Sequence, residues 1–222
     1  MDQVLWTAVD KYFSKILVGD DPVMEEVLKT NAAEGLPPWD VSVNQGKLLQ
    51  LLAQTLQARQ ILEIGTLGAY STIWMARALP KDGKIISLEF DPKYAEVALS
   101  NIRRAGFADI VEVRVGKALD TLPRLLEESR GPFDLIFIDA DKNNNANYFS
   151  WAIKLSRPGT MIIVDNVVRN GSVIDTNSKD PSIQGVQRLN EMLSRETRVS
   201  ATAIQTVGTK GWDGFILAIV KV

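Results

Sequence analysis

Two hydrophobic rhythms divide the chain. Up to residue 57 apolar side chains return every three or four positions: Leu5, Val9, Tyr12 and Ile16, flanked by Val4, Ala8 and Phe13, make one helical stripe. Asp20-Asp21 ahead of Pro22 is a helix start, predicting a second helix to about Ala33, and Pro37-Pro38 stops it. A third helix is predicted from near Asn44, carrying Leu48, Leu49, Leu51, Leu52 and Leu56. From residue 59 short β-rich runs alternate with helical ones. Strands are predicted at Ile61–Ile64, Lys84–Glu89, Ile110–Val115, Phe133–Ile138 and Thr160–Val164, the last after an Arg157-Pro158-Gly159 turn. Helices between them are predicted over about Ser71–Leu79, Pro92–Ala105, Ala118–Glu127 and Asn144–Leu155. Such alternation implies parallel βαβ units with right-handed crossovers. The end differs. Val199–Val207 and Phe215–Val222 are both β-rich, and the short link around Gly208-Thr209-Lys210-Gly211 makes them antiparallel neighbours. No repeat or linker intervenes, which predicts one domain over 1–222, with a helical part at 1–57 and an α/β core at 58–222.

Composition narrows the chemistry. The chain is 45% hydrophobic and 23% charged, ordinary for a folded globule. A net charge of −2 offers no general attraction to nucleic acid or anionic membrane. No uninterrupted apolar run is long enough to span a bilayer, and Met1-Asp2-Gln3-Val4 does not open a signal peptide, so the expected location is cytoplasmic. Cysteine and histidine are both absent. That excludes thiolate nucleophiles, disulfides, cysteine or histidine zinc sites and imidazole bases. Acid–base or metal chemistry must rest on Asp, Glu, Lys, Tyr, Asn and backbone.

The segment Glu63-Ile64-Gly65-Thr66-Leu67-Gly68-Ala69-Tyr70-Ser71 joins the first parallel strand to its helix, where open α/β sheets place ligands. Gly65 permits a tight turn and close approach, and Glu89 ends the next strand 24 residues on, placed to accept from both hydroxyls of a ribose. Taken singly, these residues are also what a loop glycine and a surface acid look like. The loop lacks the dense glycines that cradle a pyrophosphate, and an acid at its start suits a cationic sulfonium ligand better than a dinucleotide. Glu63 is the residue that could stabilise such charge.

A second group gathers at the next two strand ends: Asp139-Ala140-Asp141-Lys142 and Asp165-Asn166. In a parallel sheet both ends emerge on the edge that carries Gly65 and Glu89. Asp139, Asp165 and the Asn166 side-chain carbonyl then offer three hard oxygens, a partial set for magnesium with positions left for substrate and water. The plain alternative makes the two aspartates turn or helix caps. Lys142 beside them could act as a base on a phenol or steer the phenolate.

These residues resemble the cation-dependent O-methyltransferases that include the catechol and caffeoyl-coenzyme A enzymes. The likeness runs from about Val41 to the C-terminus and keeps the family's order. Its landmarks are Gln45-Gly46, Leu62-Glu63-Ile64-Gly65-Thr66 with Tyr70-Ser71, Glu89, Val115–Leu119, Phe133-Asp134, Asp139–Lys142, Leu155–Gly159, Asp165-Asn166-Val167 and Asp213-Gly214-Phe215. The resemblance implies a Rossmann-like class I methyltransferase fold: a seven-stranded, mostly parallel sheet in order 3-2-1-4-5-7-6, strand 7 antiparallel, with helices on both faces. It implies S-adenosylmethionine as cofactor, with S-adenosylhomocysteine as product. Glu89 would bind the ribose and Ala118 the adenine. Ser71 and the Val41-Ser42 backbone would hold the methionyl end, with Glu63, Gly65 and Asp139 also at the cofactor. Asp139, Asp165 and Asn166 would hold a divalent cation, magnesium first, calcium or manganese otherwise. Lys142 would be catalytic, the acceptor a small aromatic vicinal diol, and the assembly a homodimer. The sequence departs from the family at Ala69, where many relatives carry glycine, and at Gly68, where they often carry Thr or Cys. Trp39, Tyr148, Arg169, Asn170 and Trp212 lie in segments that could line an acceptor pocket. A cofactor-binding protein without turnover and a Rossmann oxidoreductase are the alternative readings.

Overall fold

A computed structural model describes residues 2–221. Met1 and Val222, the predicted domain's two ends and, for Val222, the end of its last strand, lie outside the described residues. The chain runs α1 (Gln3–Phe13), extended by a π-helical turn at Ser14–Val18, α2 (Pro22–Ala33) and α3 (Val43–Thr55). It continues as β1 (Gln60–Ile64), α4 (Tyr70–Ala76), β2 (Lys84–Glu89), α5 (Pro92–Arg104), β3 (Val111–Val115) and α6 (Ala118–Glu127). It closes with β4 (Phe133–Ile138), α7 (Asn145–Lys154), β5 (Ser156–Asp165), α8 (Pro181–Arg195), β6 (Val199–Gly208) and β7 (Gly211–Val220).

The seven strands form one sheet in the order β3-β2-β1-β4-β5-β7-β6, with β7 antiparallel to both neighbours, as the resemblance implied. Period-two alternation feeds two cores, because both faces of a parallel sheet are covered. Leu62, Ile64, Ile136 and Ile138 pack on Leu122, Leu125, Phe149, Val186 and Leu189 of α6, α7 and α8. Ile61, Leu135 and Phe137 face Val27, Leu49, Ile73, Trp74 and Ile102 of α2 to α5. The helical part therefore is not an appendage: α2 and α3 close the second face. α1 differs. It buries no residue, and Leu5, Val9, Tyr12 and Ile16 all stay exposed.

Caps explain the helix starts. Asp21, Ser42 and Asp91 each accept a backbone N–H in the first turn of the helix that follows, and Pro22 and Pro92 occupy first-turn positions that need no donor. Four elements differ from the sequence pattern, one of them β7, which starts at Gly211 rather than Phe215. Helix α4 stops at Ala76 rather than near Leu79: Ala78 and Leu79 donate to Met75 and Ala76 in a tightened last turn ahead of Pro80. Strand β5 starts at Ser156, four residues early. The Arg157-Pro158-Gly159 segment enters the sheet as a bulge, with Arg157 N–H donating to Thr160 Oγ1 (3.0 Å) and the β4–β5 register shifting between Phe133 and Leu135. Helix α8 has no counterpart in the predicted elements, although Asp180 caps it and Ile183, Val186 and Leu189 face the core. Among the described residues no helix is long and apolar enough to cross a membrane.

Candidate active site

The carboxyl ends of β1, β2, β4 and β5 meet at one edge. Gly65, at φ +103°, begins the β1–α4 loop, and a Cβ on it would stand 2.2 Å from the Asp139 carbonyl oxygen. Only glycine allows the two strand ends to come this close. Leu67 and Ala69 adopt left-handed φ of +49° and +68° in the same loop, conformations that cost a side-chain-bearing residue about 1–2 kcal/mol each.

Glu89 and Glu63 take different roles here. Glu89 ends β2 with one oxygen accepting from the N–H groups of Thr66 (3.2 Å) and Leu67 (2.8 Å) and the other from Asp91 N–H (2.9 Å). It stands at the mouth of the loop and orients it. Glu63 lies beneath the loop, fully buried, accepting from Ser71 Oγ (2.6 Å), Thr72 Oγ1 and Ser87 Oγ (2.6 Å). Burial raises its carboxyl to about 7, the three hydroxyls pulling it back down. Ser71 spends its hydroxyl on Glu63 and so fixes the first turn of α4. Val41 is buried just before α3, where Ser42 Oγ caps the helix by accepting from Gln45 N–H. Ala118 opens α6, half-buried against the first core.

Asp139 and Asp165 stand near one another at the strand ends, with a cation of the chain's own, Lys142, between their charges. Lys142, 9% exposed, places Nζ 2.7 Å from Asp139 Oδ1. Asp165 is 4% exposed, with Oδ1 accepting from Asn166 N–H (2.9 Å) and Oδ2 from Gln45 Nε2 (2.8 Å). Burial raises the Asp165 carboxyl, the Asp139 charge raises it further, and Lys142 opposes both. Neither aspartate caps a helix, although Asp165 Oδ1 accepts from the backbone of the turn it opens. Two carboxylates facing one ammonium leave this strand edge short of positive charge. Among the described residues no group of three or more Asp, Glu, His or Cys side chains could hold a metal ion.

Sequence reasoning overlooked the supports. Gln45 holds Asp165 from α3. Asp213 Oδ1 accepts from the N–H groups of Val168 (2.9 Å), Arg169 (3.0 Å) and Gly214 (3.0 Å), and so clamps the strained turn at Asn166, Arg169 and Asn170, all at positive φ. Gly185 of α8 lets that helix lie on the Lys142 backbone. A cavity of about 230 Å³ opens beside Asp165 and Asn166, walled by Ser42, Gln45 and Leu48 on one side and Lys210 and Phe215 on the other. None of the suggested pocket residues lines it. Trp39 is 72% exposed, Tyr148 is buried with its hydroxyl donated to Asp141, and Trp212 packs over Gly171 while donating Nε1–H to Gln205 (3.0 Å).

This arrangement of sheet, loop and strand-end acids has relatives. The family described as O-methyltransferase matches residues 14–219. The chain belongs to the O-methyltransferase family. It is 55% identical to a catechol O-methyltransferase of Niastella koreensis over 221 residues, all of both chains. It is 53% identical to a catechol O-methyltransferase of Mycobacterium tuberculosis over 96% of this chain and 95% of that one. Among solved structures, an O-methyltransferase from Bacillus cereus in complex with S-adenosylhomocysteine superposes with a TM-score of 0.98 at 59% identity, covering 99% of this chain and 100% of that one. With this O-methyltransferase so placed, its Rossmann-like methyltransferase architecture follows, and the oxidoreductase alternative falls away.

Proposed function

We propose that this O-methyltransferase moves the methyl group of S-adenosylmethionine to one hydroxyl of a small aromatic vicinal diol, and that it uses a divalent cation to do so. One observation carries the reading. Asp139, Lys142, Asp165 and Asn166 converge at the sheet edge that also carries the Gly65–Ser71 loop and Glu89. The Bacillus cereus relative was solved with S-adenosylhomocysteine, and one from Streptomyces achromogenes, 50% identical with a TM-score of 0.96, with S-adenosylmethionine.

In this reading Glu89 accepts from the ribose hydroxyls and Ala118 borders the adenine. Val41, Ser42 and Ser71 surround the methionyl end, with Gly65 and Asp139 against it. Glu63 supports the floor of the loop from below. The donor chemistry of Asp139, Asp165 and Asn166 fits a hard divalent ion, magnesium first, with calcium or manganese as the other oxygen-seeking choices. Asp139, Asp165 and Asn166 would hold such an ion, and it would supply Lewis-acid chemistry that eases loss of a proton from the acceptor hydroxyl. Lys142 Nζ, 2.7 Å from Asp139 Oδ1, would stand beside that hydroxyl. Lys142 would take the phenol's proton only as the free amine, after its own ammonium proton has left to solvent; as the ammonium it would hold the phenolate by charge. The phenolate oxygen then attacks the methyl carbon in line. The sulfur–carbon bond breaks as the oxygen–carbon bond forms, leaving an aryl methyl ether and S-adenosylhomocysteine. Buried walls around Asp165 and Lys142 keep water from competing and hold the acceptor's orientation. The bare stripe on α1 is covered, in this reading, by a second copy of the chain.

Tritiated methyl transfer to caffeate with and without chelator tests the proposal. Chelation abolishes transfer, magnesium restores it, and Asp165→Ala resists the rescue. Full turnover of a phenol with no neighbouring oxygen in excess chelator overturns the reading.

A further inference from the structure

Behind the cofactor loop lies a polar chain that the reaction does not use. Asn101, fully buried on α5, directs both hydrogens of its side-chain amide at different partners. One goes to Asn31 Oδ1 on α2 (2.9 Å), the other to the Gly68 carbonyl oxygen (3.0 Å). Asn31, 2% exposed, passes the connection on by donating Nδ2–H to Asp40 Oδ1 (2.9 Å). Asp40 is half-buried and immediately precedes Val41 and Ser42. The amide of Asn31 lies flat against Gly68: a Cβ there would stand 2.0 Å from Asn31 Oδ1 and 2.3 Å from Nδ2. The glycine is thus required by the asparagine behind it. Its neighbours Leu67 and Ala69 are the two strained residues of the loop. A strained turn persists when its surroundings over-determine it, and here the over-determination is this relay.

We propose that Asn101, Asn31 and Asp40 form a positioning relay that sets the distance between the Gly65–Ala69 loop and the Asp40–Ser42 segment, and so shapes the slot for the methionyl end of the cofactor. The inference rests on the reading that puts this end between those two segments. None of the three needs to touch the ligand. Helices α2 and α5 supply the amides, the loop receives them at Gly68, and the segment before α3 receives them at Asp40. Breaking any joint leaves two short, otherwise independent pieces of backbone free to drift apart. The part of the ligand that bridges them then loses affinity, while the adenosine half, held from β2 and α6, does not.

The polarity of the relay supplies the test. Asn31→Asp is isosteric but replaces the donor facing Asp40 with an acceptor, so the joint becomes a repulsion. Calorimetry should show S-adenosylhomocysteine binding at least tenfold weaker. Binding of 5′-methylthioadenosine, which keeps adenosine and the thioether but lacks the amino-acid end, should stay within twofold of the parent protein. Adding Asp40→Asn reverses the donor direction and should restore S-adenosylhomocysteine to within threefold. Three results overturn the proposal: parental affinity in folded Asn31→Asp, equal losses for both ligands, or a double variant that regains its melting temperature without its affinity. If Asn31→Asp does not fold, Asp40→Ala at the half-buried end removes the same joint and carries the same expectations. No acceptor or metal enters these titrations, so a failure of the catechol chemistry leaves their outcome readable.

Discussion

Gly185→Ala is a single methyl group, yet it should disturb both the fold and the reaction. The added Cβ would stand 2.1 Å from the Lys142 carbonyl oxygen and 2.7 Å from its carbon, where ordinary contact begins at 3.4 Å. Backbone meets backbone here, so no flexible side chain can swing away. Either α8 lifts or the turn at Lys142–Asn144 shifts, by roughly 1.3 Å. Lifting α8 is resisted by Val186 and Leu189, both fully buried in the core, and by Arg188 Nη2–H donating to the Asn143 carbonyl (3.1 Å). Overpacking of this kind costs about 1–3 kcal/mol. For a chain of this size that corresponds to a melting temperature lower by roughly 2–12 °C. The turn yields in part, carrying Nζ of Lys142 off Asp139, and a misplacement near 1 Å at a reacting group lowers turnover by about a hundredfold. The assay pairs initial rates of methyl transfer, at saturating cofactor, magnesium and caffeate, with calorimetric titration of S-adenosylhomocysteine. Affinity should stay within threefold, because Gly65, Glu89 and Ala118 sit on other elements. A variant destabilised by at least 1 kcal/mol that retains parental turnover would show that α8 does not position Lys142, and the reasoning would fail.

Four further outcomes are expected. Glu89→Ala should weaken S-adenosylhomocysteine by about 1.5–3 kcal/mol, the worth of a charge-assisted contact, with folding kept; parental affinity by calorimetry would remove Glu89 from the ribose. Lys142→Ala should lower turnover by about 10²–10⁴-fold with cofactor affinity intact, and unchanged rates across pH would leave it a passive partner of Asp139. Glu63 binds its proton more tightly folded than unfolded, 4.5 rising to about 7, so its share of stability is full below 4.5 and is lost as pH climbs to 7. Glu63→Gln, whose melting temperature should gain on the parent's between pH 5 and 8 by the equivalent of about 3 kcal/mol, checks this, and parallel melting curves would refute it. Leu5→Glu combined with Tyr12→Glu, at exposed positions on α1, should convert a dimer to monomer in sedimentation without loss of cofactor binding; an unchanged mass assigns the stripe elsewhere.

What could be read from the residues, and what could not, divides along physical lines. Strands β2 and β4 and helix α2 match their predicted bounds because each carries a local signal, a short apolar run or a cap with a proline at the first turn; helix α6 matches too, although Lys117 makes no side-chain cap and Pro123 lies inside it. The strand-end acids were legible for a related reason, since a parallel sheet brings successive carboxyl ends to one edge whatever the details of packing. Gln45 reaching Asp165 across 120 residues is a different matter. So are Asn31 on Asn101 and Gly185 on Lys142, contacts between helices whose mutual docking no local pattern encodes. Glu63 is the instructive case. Its place at a loop start suggested a ligand for positive charge, whereas three hydroxyls occupy it from within the core. Helix α8 was readable in principle, since Asp180-Pro181 and the spacing of Ile183, Val186 and Leu189 meet the same criteria that identified α2 and α5.

The insertion of β7 between β5 and β6 has a consequence for the order in which the molecule can be made. On the ribosome, strands β1 to β5, with the Gly65 loop and Glu89, are made before residues beyond 195. The outer edge of β5 stays bare through that interval, and the amides of Val168 and Arg169 wait for Asp213. Only when the β6–β7 hairpin arrives, closed by the two residues Thr209 and Lys210, are edge and turn sealed in one docking step. The half of the sheet that carries Glu89 is thus synthesised before the half that completes the wall beside Asp165. The same interval is when an unpaired β5 is open to a wrong partner, and a ligand already seated at the finished half would favour the productive route.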